Sequence, residues 1–101
     1  MAGDAAAHKN MAGPVMQAGD LADAVIEAAR QDNPDKEIVV DDHLAYVRIQ
    51  AEGGMIIRRE TVETCLGRPF EMRELERNLS GFAGQIDTRS DQVRFFLDKK
   101  L

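Results

Sequence analysis

Residues 37–58 constrain this chain more than any other stretch. Ile38-Val39-Val40 is a short β-branched run. From Leu44 to Ala51 the residues alternate: Ala45, Val47, Ile49 and Ala51 face one way, while Tyr46, Arg48 and Gln50 face the other. Met55-Ile56-Ile57 closes the set. A period of two puts one face in a core and leaves the other wetter. Asp41-Asp42-His43 and Glu52-Gly53-Gly54 are short, turn-forming links. The spacing therefore predicts three strands in an antiparallel meander. Three strands with one apolar face do not stand alone, so flanking helices are expected to cover that face.

The flanks supply them. Pro14 suits a strand start or an edge, because it has no N–H for a ladder, and a first strand is expected over 15–17. Asp20 offers the side-chain oxygen and the negative charge that a helix start favours. Leu21, Ala24, Val25, Ala28 and Ala29 then recur at helical spacing until Asn33-Pro34, where the residue before proline leaves the helical region. Helix one is expected over 21–31. Val62 and Leu66, with Gly67 as a C-cap, mark a second helix over 59–66. Met72, Leu75 and Leu79 mark a third over 71–79. A last strand is expected over 92–97, with Val93 and Phe95 inward; Phe96, on the other face, stays exposed unless the second or third helix covers it. The expected fold class is α+β, a two-layer sandwich of a mostly antiparallel sheet and three helices.

With 101 residues the chain makes one domain, expected over 13–101 behind a flexible tail over 1–12 that has no apolar period. Thirteen basic and 18 acidic residues leave a net charge of −5, which argues against nucleic acid or an anionic membrane as partner. The chain has no tryptophan and few aromatics, which argues against a base-stacking platform. No apolar run approaches the roughly 20 residues of a membrane span. A basic region followed by an apolar stretch is missing from the start, so no signal peptide is expected. Cys65 is the single cysteine; it rules out an internal disulfide and fits a reducing cytoplasm.

Reactive constellations are scarce. His8, His43 and Cys65 have no metal-ligand spacing, and there is no Cys-x-x-Cys. Gly81 and Gly84 are not followed by the Lys-Ser/Thr of a phosphate loop, and Ser80 and Ser90 lie in no nucleophile elbow. No catalytic, cofactor-binding or metal-binding residue is expected. Cys65, next to Val62 and Leu66, reads as a small buried hydrophobe. Three classes stay open: a small enzyme using surface carboxylates, a small-ligand-binding α+β domain with an inter-layer pocket, and a protein that works through its surface. The last is favoured by Ser80-Gly81-Phe82-Ala83-Gly84-Gln85-Ile86, where two glycines flank an aromatic. That segment reads either as a helix C-cap and a strand with Phe82 in the core, or as a place where another backbone comes close.

A family resemblance narrows the choice. It is carried by Gly13-Pro14, Ala18-Gly19-Asp20-Leu21, Asp32-Asn33-Pro34, Lys36-Glu37-Ile38, Ala45-Tyr46-Val47-Arg48-Ile49 and Ala51-Glu52-Gly53. It continues through Leu66-Gly67-Arg68-Pro69-Phe70, Met72, Glu74-Leu75, Asn78-Leu79, Phe82-Ala83-Gly84-Gln85-Ile86, Asp91-Gln92 and Asp98-Lys99. In this order the set resembles the effector (coupling or regulatory) proteins of bacterial soluble di-iron monooxygenases, in particular the toluene and alkene branch. The resemblance implies a cofactor-free, cytoplasmic protein, monomeric when free, that docks on the di-iron hydroxylase component. Docking would alter active-site geometry and substrate access and tie electron use to product, on a surface shared with a Rieske-type ferredoxin. The docking residues are expected to be Ala18, Gly19, Asp20, Asn33, Ser80, Gly81, Phe82 and Gln85, where small residues and polar groups let another chain approach. Each also has a local reading: Asp20 a helix cap, Asn33 a turn former, Phe82 a core residue.

Overall fold

The computed structural model describes residues 10–97. Seven strands and three helices follow one another: β1 Met11–Gln17, α1 Asp20–Asp32, β2 Val39–Asp42, β3 Tyr46–Glu52, β4 Gly54–Arg58, α2 Arg59–Leu66, α3 Met72–Asn78, β5 Leu79–Ala83, β6 Gln85–Thr88 and β7 Gln92–Phe96. The strands form a four-stranded sheet in the order β2-β3-β1-β5 and a three-stranded sheet in the order β4-β7-β6. Every ladder in both is antiparallel. The α+β class and the three helices stand as expected.

The meander does not. β2 and β3 pair as a hairpin, with Val40 opposite Ile49. β4, however, leaves for the other sheet, and β3 takes β1 as its second neighbour, with Met16 opposite Val47. Gly53 and Gly54 make the crossing, at φ 78° and 100°. A Cβ on Gly54 would lie 2.0 Å from the Phe95 carbonyl oxygen, so only glycine lets β4 start there against β7. A two-glycine link suits a hairpin and a change of sheet equally well, and the choice is made by long-range pairing.

β1 also begins earlier than expected. Met11 and Ala12 pair with Glu52 and Ala51, and Ala12 is fully buried, so two residues assigned to the tail belong to the domain. Asn10, also assigned to the tail, has its carbonyl accepting the Gly53 N–H at 2.8 Å; the rest of the expected tail, residues 1–9, lies outside the described residues. One core joins both sheets and the helices. Met16 of β1, Val47 and Ile49 of β3, Ile57 of β4 and Val93 and Phe95 of β7 meet Val25, Ala28 and Ala29 of α1, Val62 of α2 and Leu75 of α3. Within β3 the alternation is the observed one: Val47, Ile49 and Ala51 are buried while Tyr46, Arg48 and Gln50 are half-buried; Ala45, read on the core face, lies in the turn before β3 and is exposed. Val93 and Phe95 point inward as expected. Phe96 is half-buried, covered by the Arg94 guanidinium 4.4 Å from its ring centroid, a neighbour on the same strand face.

Gly67 ends α2 in the left-handed conformation at φ 75°, and its N–H donates to the Glu63 carbonyl at 2.8 Å. The third helix stops at Asn78, one residue short of the expected end. Leu79, which continues its apolar stripe, instead opens β5 and is paired with Met16.

Candidate functional site

The turn from β1 into α1 carries Ala18, Gly19 and Asp20, all exposed. Gly19, not Asp20, occupies the N-cap position. The chain turns at Gly19 with φ 145°, its carbonyl accepts the Asp23 N–H at 3.0 Å, and no side chain caps the helix. Asp20 is the first helical residue, so its carboxylate faces solvent at the positive end of the helix. The Ala18 N–H donates to the Ala45 carbonyl at 3.0 Å, which fastens this turn to the β2–β3 hairpin.

A second group sits on β5 and at the start of β6. Across β1, Gly81 is opposite Val15 while Leu79 is opposite Met16. Ser80 is thus the extra residue of a β-bulge, a device that bends a strand and re-aims its side chains. A Cβ on Gly81 would meet no atom within 4 Å. Phe82 is 44% exposed, with its ring centroid 6.2 Å from that of Phe95. The core reading of Phe82 is therefore corrected: one side touches the core aromatic and the other faces water, because the Ser80 bulge and the outer position of β5 leave nothing to cover it. Gly84, at φ 85°, turns the chain so that Gln85 opens β6 opposite Phe96. Gln85 is exposed.

Asn33 stands apart. It follows α1, and its side-chain amide donates to the carbonyls of Ala29 at 2.8 Å and Ile56 at 2.7 Å while accepting the Ile56 N–H at 3.0 Å. Its polar groups are engaged within the fold. From Gly19 it is about 20 Å away along the helix. By contrast, Ala18 and Phe82, whose partner in the ladder is Pro14, lie about 13 Å apart along β1. The Ala18–Gly19–Asp20 turn and the β5 residues therefore lie on or beside the four-stranded sheet, while Gln85 begins a strand of the three-stranded sheet.

The β2–β3 hairpin adds what the sequence reading passed over. Leu44 is 89% exposed and has φ 72°, the only positive φ among the described non-glycine residues. Asp42 Oδ1 accepts the Leu44 N–H at 2.8 Å. His43 stacks on Tyr46 at 4.7 Å between centroids, and its Nε2 lies 2.9 Å from the Asp41 carboxylate. The signal available in sequence was a leucine set in a polar turn two residues after an aspartate.

No three His, Cys, Asp or Glu side chains among the described residues are placed to hold a metal ion. None of the described helices is long and apolar enough to cross a membrane. Cys65 is half-buried, and burial, helped by the Glu27 and Asp32 carboxylates, pushes its thiol pKa up.

The MmoB/DmpM family model matches residues 10–96. The chain belongs to the MmoB/DmpM family. Among members of this family, it is 40% identical to the effector subunit of the alkene monooxygenase system of Xanthobacter autotrophicus, over 87% of each chain. It is 43% identical to DmpM, the stimulatory component of a Pseudomonas phenol 2-monooxygenase, over 83% of this chain and 89% of that one. A chain in a structure of a phenol hydroxylase–regulatory protein complex superposes with a TM-score of 0.72 at 34% identity, covering 87% of this chain and 99% of that one. The regulatory protein B of soluble methane monooxygenase shares the fold, with a TM-score of 0.66 at 18% identity over 91% of this chain and 68% of that one. The two relatives matched at 40% and 43% identity carry the names effector subunit and stimulatory component.

Proposed function

We propose that this protein is the effector component of a multicomponent alkene or aromatic monooxygenase, docking without a cofactor on the di-iron hydroxylase. The observation that carries this reading is its 40% identity, along most of both chains, with an alkene monooxygenase effector subunit. The docking face comprises β5 with Gly81 and the half-exposed Phe82, Gln85 at the start of β6, and the Ala18–Gly19–Asp20 turn. An open glycine backbone beside a half-covered aromatic suits close approach by another chain. The free protein is a monomer in the cytoplasm, and the ferredoxin uses part of the same face on the hydroxylase.

An effector acts as a ligand that binds one hydroxylase conformation better than another. It shifts that equilibrium only by its differential affinity, and couplings of this kind amount to about 1–3 kcal/mol. The test is to titrate the protein into hydroxylase, reductase and ferredoxin, reading product formed per NADH consumed. Rate and coupling rise and saturate near one effector per active site; a flat response overturns the reading. Gly81→Leu keeps the fold, because the space there is open. It raises the half-saturating concentration about tenfold if β5 docks. An unchanged titration removes β5 from the docking face.

A further inference from the structure

Leu44 is disfavoured twice over in the free domain. Its side chain is almost wholly in water, and its backbone takes φ 72° at the centre of a tight turn closed by the Ala45 N–H on the His43 carbonyl, a conformation that is rare and strained for a side-chain-bearing residue. Strain of this kind persists when its surroundings enforce it, and here they do. Asp42 accepts the Leu44 N–H, the His43 N–H donates to the Tyr46 carbonyl at 2.9 Å, and the Ala45 N–H donates to the His43 carbonyl at 2.8 Å. His43 is clamped from both sides by Tyr46 and Asp41. The hairpin thus holds one leucine outward at its tip in a single, pre-organised conformation, which reduces the ordering cost of binding.

We infer that Leu44 is an apolar anchor of the effector, inserting into a hydrophobic pocket rimmed by basic groups on the hydroxylase. This rests on the proposed effector function. Two observations favour the hydroxylase as occupant. The tip is continuous with the docking turn, since the Ala18 N–H binds the carbonyl of Ala45, the next residue after Leu44. The tip is also acidic: Asp41 and Asp42 are both exposed, which calls for a basic rim. A second copy of this chain fits poorly, because a two-fold contact through Leu44 sets one acidic pair against the other.

The experiment compares the wild-type chain, Leu44→Asn and Leu44→Met in the reconstituted hydroxylase assay and in thermal unfolding. Asparagine adopts a positive φ more readily than leucine and is polar, so Leu44→Asn melts at or above the wild-type temperature. The same variant needs about tenfold more protein for half-maximal stimulation, the order expected when a leucine side chain is no longer buried. Leu44→Met, which keeps an apolar side chain, stays within about threefold of wild type. Unchanged half-saturation by Leu44→Asn overturns the inference, as does a loss of stimulation matched by a lower melting temperature, which marks a structural role. Absence of stimulation by the wild-type chain itself is a different result, and overturns the effector function on which the anchor rests.

Discussion

The side chain of Asn33 pairs with the backbone of Ile56 as a neighbouring strand would: Oδ1 accepts the Ile56 N–H at 3.0 Å and Nδ2 donates to the Ile56 carbonyl at 2.7 Å. β4 is the outer strand of its sheet, so this amide satisfies backbone groups that no strand reaches. Asp32 extends the joint, its carboxylate accepting the Arg58 N–H at 2.8 Å and the Thr61 hydroxyl at 2.9 Å. The end of α1 is thereby fixed to β4 and to the start of α2.

Asn33→Ala leaves part-buried backbone groups of Ala29 and Ile56 without these partners. It is expected to lower unfolding free energy by about 1–3 kcal/mol in urea titration. Asn33→Asp keeps the acceptor for the Ile56 N–H but sets a carboxylate against two carbonyl oxygens, so it destabilises by a similar amount despite its shape. Stimulation of the hydroxylase per folded molecule separates this structural role from docking. If Asn33→Ala also weakens half-saturation while fully folded, the residue serves both.

Cys65 is expected to resist alkylation at neutral pH. Burial is the first cause of its raised thiol pKa, and the nearby carboxylates of Glu27 and Asp32 add to it. The thiolate is the reacting form, so iodoacetamide labelling of the folded protein stays slower than that of the urea-unfolded chain near pH 8, and accelerates only at higher pH. Equal rates in the two states would place the thiol in open solvent.

Arg68 clamps Glu74 with both terminal nitrogens, at 3.2 and 2.9 Å, across the loop that joins α2 to α3. The hydrogen bond from Arg68 holds the Glu74 carboxyl below the usual carboxylate range. A carboxyl whose pKa is lower folded than unfolded contributes stability above its unfolded pKa and loses it as pH falls through the folded one. Arg68→Ala is therefore expected to be slightly less stable than wild type at pH 7, with the gap closing as the pH falls through the lowered pKa of the folded Glu74 carboxyl and shrinking with salt. A gap that persists at low pH would mean that the pair contributes by packing.

Much of this structure was legible in sequence because it depends on near neighbours. The alternation of Val47, Ile49 and Ala51, the proline that ends α1 and the glycine that caps α2 each act over a few residues. What escaped reading depends on distant partners. Asn33 looks like a turn former until Ile56, 23 residues later, comes beside it. Leu79 fits the apolar stripe of α3 as well as it fits β5, and only Met16 decides between them. Asp20 looks like a cap, yet the backbone of Gly19 takes that position. Of the candidate docking residues, the exposure of Ala18, Gly19, Asp20 and Gln85 agrees with an accessible surface. The exposure and positive φ of Leu44 come from the bonds that close the turn around it, to which a leucine as a residue type gives no clue.

Placing β1 between β3 and β5 has a consequence for folding. β1 sits in the interior of the larger sheet, and one of its two neighbours, β5 at Leu79–Ala83, comes much later in the chain than its other neighbour, β3 at Tyr46–Glu52. β4 likewise waits for β7. Pairings this distant in sequence slow folding. A chain cut before β5 would therefore leave one edge of β1 unpaired and open to other chains.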